Sequence, residues 1–241
     1  MSTAPSSIPA AAASTPAGLS ELLQDLFSDI LCHRVLPATL FTLILVAKAA
    51  ALAKCFQAPG ALWTAERLST ALQHATTVAF LAVVVLLFAV RKPVVGRRSS
   101  LLGATVALAG AFTMSVPIAA PVTHSGIVAM CASAILTIAG TAISIASLVA
   151  LGRCFGVMPE ARGLVTGGPY SIVRHPLYVG EAIATMGQVV VTATVPVVAL
   201  LAVHFALQVW RSVNEEKALV QVFQHYEQYR RRTWRFIPGL V

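Results

Sequence analysis

The sequence predicts an all-α protein, a polytopic transmembrane helical bundle of about six spans. Three observations carry this. The 241-residue chain is 57% hydrophobic and only 11% charged, with mean hydropathy +0.81; a soluble domain carries about a quarter charged residues. Its apolar residues gather into runs long enough to cross a bilayer, which takes about 20 residues. Its basic residues sit in loops flanking those runs, so the formal charge of +8 reads as membrane orientation. Nucleic-acid binding is not expected, because few basic residues lie anywhere else.

The elements follow in order. Residues 1–18 are Ala, Ser, Pro and Thr without a basic n-region, which predicts a disordered tail and not a signal peptide. Residues 19–34 predict an amphipathic interfacial helix. Leu19, Leu22, Leu23, Leu26, Phe27, Ile30 and Leu31 follow helical spacing, with Glu21, Asp25 and Asp29 opposite. It suits the membrane surface or the protein's own basic loops. A four-span scaffold over 35–150 comes next, with spans at 35–53, 72–90, 101–120 and 126–151. Two shorter spans, 178–195 and 197–210, meet at Pro196 and predict a helical hairpin.

The basic loops fix the topology. Arg91, Lys92, Arg97 and Arg98 follow the second span, and Arg153, Arg162 and Arg174 the fourth. Arg211, Lys217, Arg230, Arg231, Arg232 and Arg235 follow the sixth. Six spans put all three groups on one side, which must be cytoplasmic, together with both termini.

Packing signals concentrate in residues 151–241. Gly180, Ala184 and Gly187 form a small-residue face that lets a neighbouring backbone approach. Glu181 and Gln188, seven apart, share a stripe that is costly to expose to lipid. A C-terminal cytoplasmic helix is expected, with Arg211, Glu215, Leu219, Val222, Tyr226 and Tyr229 on one face. Phe236 and Pro238 close it.

Four constellations could carry chemistry. In Arg174-His175-Pro176-Leu177-Tyr178, Pro176 suits a first helical turn and pushes His175 out of helical geometry. His175 then stands at a helix N-terminus that can receive an anion. The same residues also suit interfacial anchoring, with Tyr178 in an aromatic belt. In the second, Arg211 and Glu215 are four apart and can form an ordinary ion pair. Alternatively, Glu215 or Glu216 holds a cationic ligand or ribose hydroxyls. The third is the glycine-bearing loop from Gly152 to Tyr170, where backbone can approach a ligand but no phosphate-loop pattern exists. The fourth, Tyr226 and Tyr229 with the run Arg230 to Trp234, reads mainly as a basic tail touching anionic lipid.

Other polar residues have plainer roles. His204 reads as a hydrogen-bonded interhelical residue. Lys48 and Lys54 can snorkel, and His33, His74 and His124 lie near span ends. Cys32, Cys55, Cys131 and Cys154 show no ligand spacing, so neither a metal site nor a disulfide is expected.

Gly168-Pro169-Tyr170, then Arg174-His175-Pro176, Tyr178 and Gly180, followed after a hairpin by Arg211, Glu215-Glu216 and downstream tyrosines, form a wider pattern. It resembles the isoprenylcysteine carboxyl methyltransferase family and its wider membrane relatives, phospholipid N-methyltransferases among them. The resemblance covers roughly residues 150–238. It implies an integral membrane enzyme using S-adenosylmethionine in a cytoplasm-facing pocket. A lipophilic acceptor, foremost the carboxylate of an isoprenylcysteine-like substrate, would reach that pocket laterally from the bilayer. His175, Pro176 and Tyr178 would lie at the methionine end of the cofactor, and Leu164 and Val165 would flank adenosine. Glu215 or Glu216 would hold its polar groups. Arg174 and Arg211 would stand near the reacting group. This suits the chemistry: an ionised carboxylate needs no base, but it needs alignment, a dry site and an orienting arginine.

The pattern also limits itself. Residues before 150 show no family motif. Sterol C14-reductase-like NADPH enzymes share the Arg-His-Pro-x-Tyr half. They usually carry Asp-Glu before the final helix and Lys-Tyr downstream, where this chain has Asn214-Glu215-Glu216 and His225-Tyr226. A non-enzymatic lipid-binding protein reusing the fold is the third expectation.

Overall fold

A computed structural model of the chain describes residues 34–57, 64–96, 99, 101–113, 123 and 126–240. The expected tail and nearly all of the amphipathic helix lie outside the described residues, as do residues 114–120 of the third expected span. Seven α-helices occur among the described residues: α1 Leu36–Gln57, α2 Ala65–Val90, α3 Leu101–Thr113, α4 Ile127–Leu151, α5 Pro176–Thr192, α6 Val195–Val222 and α7 Tyr226–Arg232. Short 3-10 turns cover Gly152–Cys154 and Gly168–Ser171. The architecture is all-α, and α1, α2, α4 and α6 are each long and apolar enough to cross a membrane. The chain is an integral membrane protein.

Side-chain interlocking holds the first half together. Thr64 caps α2, its hydroxyl accepting from Arg67 N at 3.2 Å. Phe88 of α2 is the hub, 5.7 Å from the Phe41 ring of α1 and 5.5 Å edge-on from Phe155. Leu81, Val84, Leu87, Ala107, Leu148 and Val157 complete the cluster. Outside it, large apolar residues such as Leu43, Val46 and Val128 are exposed, as lipid-facing positions are.

The α4–α5 contact works differently. A Cβ on Gly187 would stand 2.7 Å from Thr137 N, and one on Gly180 would stand 2.7 Å from Gly140 O. The two backbones touch, so only small residues fit. α4 stops at Gly152, whose φ of +50° suits glycine and whose N–H returns to Leu148 O.

The loops after α2 and α4 are bonded to each other. Lys92 N donates to Arg153 O at 2.7 Å, Val95 N to Ala161 O at 2.7 Å, and Arg162 Nη1 to Lys92 O at 2.6 Å. Two of the basic regions thus meet at one end of the bundle, and Arg162 pairs with Glu160 there at 2.8 Å.

The hairpin of α5 and α6 turns through Ala193 and Thr194, with Pro196 in the first turn of α6. α1 runs past its expected end at 53 to Gln57, and α2 starts at Ala65 rather than 72; two further differences bear on the site. The sixth span does not end near residue 210: α6 continues unbroken through Arg211 and both glutamates to Val222. Those are good helix formers, and their charges are met by neighbouring elements. The face expected to run on one helix from Arg211 to Tyr229 is broken at Phe223, whose backbone is extended (φ −112°, ψ 106°). α7 then starts afresh at Tyr226.

Candidate functional site

The site grows from the turn before α5. Gly168, at φ +60°, opens a turn that buries Tyr170. The chain then reaches His175, whose φ of −127° and ψ of 57° keep it out of the helix, with Pro176 starting α5. The backbone N–H groups of Arg174 and His175 donate to Trp234 O at 2.7 Å and Arg235 O at 3.1 Å. The C-terminal segment therefore lies across the motif.

The neighbouring glutamates have different environments. Glu216 is buried, and three basic groups converge on it. Arg174 Nε lies 2.9 Å and His175 Nε2 3.2 Å from Oε1. Arg235 donates Nε to Oε1 and Nη2 to Oε2, both at 3.0 Å. A carboxylate with both oxygens engaged in this way is a structural hub. Arg174 also donates Nη1 to Arg230 O at 2.9 Å and to Thr233 O. Glu215 accepts from the Tyr178 hydroxyl, stands 3.8 Å from His175 Nδ1, and keeps 21% of its side chain accessible. The His175 and Tyr178 rings stack at 5.4 Å and 4°.

A cavity opens beside this cluster. Leu164, Val165, Arg174, His175, Tyr178 and Glu215 line it. Of the residues expected at the site, these six meet. Pro176, Arg211 and Glu216 do not line that cavity: Pro176 is buried at the start of α5, and Glu216 is turned into its cations. Arg211 lies over the Tyr178 ring, Cζ 4.9 Å from the centroid. It donates to Gln208 Oε1 at 3.0 Å and to Val157 O at 2.9 Å, rather than closing a helical-turn pair with Glu215. Gln208 in turn donates to Glu181, so the stripe of Glu181 and Gln188 is buried as expected.

Tyr170, Tyr226 and Tyr229 also line the cavity. By sequence the last two group with the basic tail. Their signal was the shared spacing with Glu215 and Leu219, which survives the helix break. Burial, with the Glu215 charge as a lesser cause, holds the Tyr170 phenol well above its ordinary range. Burial does the same for Tyr226, with Glu216 adding to it, and pushes Tyr229 up to about 12. All three stay protonated at neutral pH. Tyr229 donates to Tyr170 O at 2.7 Å. The buried Tyr226 hydroxyl has no hydrogen-bond partner among the described residues.

An apolar groove of about 350 Å³ runs between α5 and α6, walled by residues including Val179, Ile183, Met186, Phe205, Phe236 and Ile237. It shares Tyr178 with the polar cavity. Elsewhere, His204 is buried and lies 2.8 Å from Thr113 Oγ1 on α3, an interhelical bond of the kind expected. No group of three or more His, Cys, Asp or Glu able to hold a metal exists among the described residues.

Fold and site together define a helical membrane protein with a charged, tyrosine-lined cavity beside an apolar groove. Residues 126–226 match the family model of phospholipid methyltransferase, which bears out the resemblance to the membrane methyltransferase group. The chain is 41% identical over 78 residues to the cobalt-zinc-cadmium resistance protein CzcN of Cupriavidus metallidurans, 32% of this chain and 36% of that protein. It is 40% identical over 78 residues to the nickel-cobalt-cadmium resistance protein NccN of Alcaligenes xylosoxydans xylosoxydans, 32% of this chain and 37% of that one. The match thus spans about a third of the length of these curated relatives. Among solved structures, the chain is similar to the eukaryotic intramembrane Ras methyltransferase ICMT (isoprenylcysteine carboxyl methyltransferase), at TM-score 0.46 and 17% identity, covering 91% of this chain and 86% of that one.

Proposed function

We propose that this chain is an integral membrane methyltransferase that uses S-adenosylmethionine to methylate a lipophilic acceptor, foremost the carboxylate of an isoprenylcysteine-like compound. The observation that carries the reading is the cavity lined by Glu215, His175 and Tyr178, joined at Tyr178 to an apolar groove. A polar cofactor and a greasy acceptor need such adjoining compartments.

The cavity fits the cofactor chemically. Glu215 is a carboxylate placed to receive a cationic or hydroxylated group. Leu164, Val165 and Leu219 offer apolar surface for a purine. Tyr226, on the cavity wall, has a buried hydroxyl without a partner among the described residues, a group able to donate or accept a hydrogen bond. S-adenosylmethionine, when bound, supplies an electrophilic methyl group on a sulfonium. The chain's own part is binding, orientation and exclusion of water. Glu215, His175 and Tyr178 hold the polar end, while Glu216 positions Arg174, His175 and Arg235. Pro176 fixes the motif at the start of α5. Arg174 lines the cavity and can orient an acceptor carboxylate. Arg211 acts from behind Tyr178 and holds that ring in place.

The site is read as facing the cytoplasm, and both termini likewise. Support comes from the basic loops bonded together at one end of the bundle.

Calorimetric titration of the nanodisc-embedded protein with S-adenosylmethionine and, in parallel, NADPH tests the reading. S-adenosylmethionine binds, and Glu215→Ala or His175→Ala weakens it by about tenfold or more, the loss of a charge-assisted hydrogen bond. Saturable NADPH binding would instead favour a reductase, and binding of neither a lipid-binding protein.

A further inference from the structure

Residues 233–237 cross the start of α5 as a strap. Trp234 pairs with Val173 in a parallel bridge, and the Trp234 and Arg235 carbonyls accept from Arg174 and His175. The Arg235 side chain grips both oxygens of Glu216. The next two side chains serve another compartment: Phe236 and Ile237 wall the apolar groove. Phe236 also meets the His175 ring, centroids 5.7 Å apart, and His175 lines the polar cavity. One aromatic ring therefore touches the groove and the wall of the cavity.

We propose that Phe236 is a specificity and positioning residue. It selects the aliphatic chain lying in the groove, and through His175 it makes chain binding and cofactor binding mutually dependent. The inference rests on reading the cavity as the S-adenosylmethionine site. The groove's occupant is a single alkyl or isoprenoid chain of the acceptor. Met186, Val209 and Ile237 leave its outer side exposed, Ile237 at 55%, whereas Tyr178 and Gln208, its polar liners, are buried. A chain would thus enter from the apolar exterior and end against the buried polar pair, beside the cavity. When it packs on Phe236 it holds the strap down on His175, and the strap carries Arg235 to Glu216. Packing on the one ring then serves both ligands. Linkage makes the effect reciprocal.

The test uses the full chain in nanodiscs and N-acetyl-S-alkylcysteines graded from octyl to hexadecyl as probes. S-adenosylmethionine affinity is measured with and without each. In the wild type, the best-fitting probe tightens the cofactor about fivefold or more, the lower end of ordinary allosteric coupling, and the probes differ among themselves. Phe236→Ala brings that factor to about one and flattens the chain preference. Phe236→Leu, which keeps an apolar contact in less volume, retains coupling and moves the optimum to a bulkier chain. The idea is overturned if Phe236→Ala keeps the wild-type coupling and preference. It is equally overturned if both variants lose cofactor affinity to the same extent with and without probe, the mark of a merely structural role. A wild type that binds S-adenosylmethionine without coupling to any chain sinks the strap alone. A wild type that binds none sinks the proposed function, and the strap with it.

Discussion

The two halves of the bundle are held together by opposite means. Around α1 and α2 the buried residues are Phe41, Leu81, Val84, Leu87 and Phe88, interlocked by shape. Around α4, α5 and α6 buried apolar residues such as Met130, Ala184, Val189 and Val191 are joined by buried Thr137, Ser144, Glu181, Gln188, His204, Gln208, Arg211 and Glu216. In a bilayer the hydrophobic effect does not drive helices together, so the first half rests chiefly on side-chain packing, with one polar tie from Arg67 Nε of α2 to the Cys55 carbonyl of α1 at 2.6 Å. The second half adds backbone contact and polar bonds, which fix positions far more tightly. Chemistry needs fixed positions, and the cavity lies in the second half.

The sharpest way to break this contrast is to add a side chain where the backbones touch. Gly187→Leu puts a Cβ 2.7 Å from Thr137 N, with three further carbons beyond it. Backbone cannot move aside as a side-chain tip can, so the cost exceeds the ~1–3 kcal/mol of ordinary overpacking. Little folded protein should be recovered, as judged by size-exclusion profile in detergent. Phe88→Leu, in the first half, leaves a cavity beside Phe41 and Phe155 but should still give a monodisperse peak. Equal recovery of the two variants would show that the halves do not differ in kind.

The next effect divides two adjacent residues. Glu216→Ala leaves Arg174, His175 and Arg235 without their shared carboxylate, and breaking a buried ion cluster costs about 3–5 kcal/mol. Its melting temperature should fall steeply. Glu215→Ala removes a partly accessible carboxylate bonded to one phenol, so its melting temperature should fall much less while ligand affinity falls more. If both variants melt alike, the split between a structural and a ligand-facing glutamate is wrong.

Much of this was legible in the sequence. Apolar runs gave the helices, and Gly180, Ala184 and Gly187 marked the face that meets α4. Pro176 marked the start of α5, the motif around it held Arg174, His175 and Tyr178, and the family resemblance added Leu164, Val165 and Glu215, all six of which line the cavity. What was not legible came from tertiary partners. Arg211 is a charge at the end of an apolar run, so the sequence places the end of the sixth span there. The helix runs on, because Gln208 and the Val157 carbonyl take up the donors of that arginine. No local rule reveals a carbonyl 54 residues away. Likewise, Glu215 and Glu216 are identical in type and adjacent in sequence. The convergence of Arg174 and His175 from the turn before α5 and of Arg235 from the C-terminal strap makes one of them a hub. The break at Phe223 follows a Leu-Val-Gln-Val run that carries no glycine or proline signal, so the sequence predicts one continuous helix face through Tyr226 and Tyr229.

The smallest expected effect concerns the tyrosines on the cavity wall. Burial pushes Tyr229 up to about 12, above the ordinary value near 10. The folded state therefore holds this proton more tightly than the unfolded chain. Stability from that preference is fully present below about pH 10, and is lost as pH rises from there through about 12. Tyr170 and Tyr226 shift in the same direction, so the three add. Melting temperature should stay nearly level with respect to these groups at neutral pH and drop once the unfolded phenols begin to ionise. Tyr229→Phe removes one contributor and the hydrogen bond to Tyr170 O, at a cost of about 1 kcal/mol at neutral pH. Its alkaline decline should be correspondingly shallower than the wild type's. An identical alkaline slope in the two proteins would mean that Tyr229 ionises as freely in the fold as in the unfolded chain, and that this part of the cavity wall is wet.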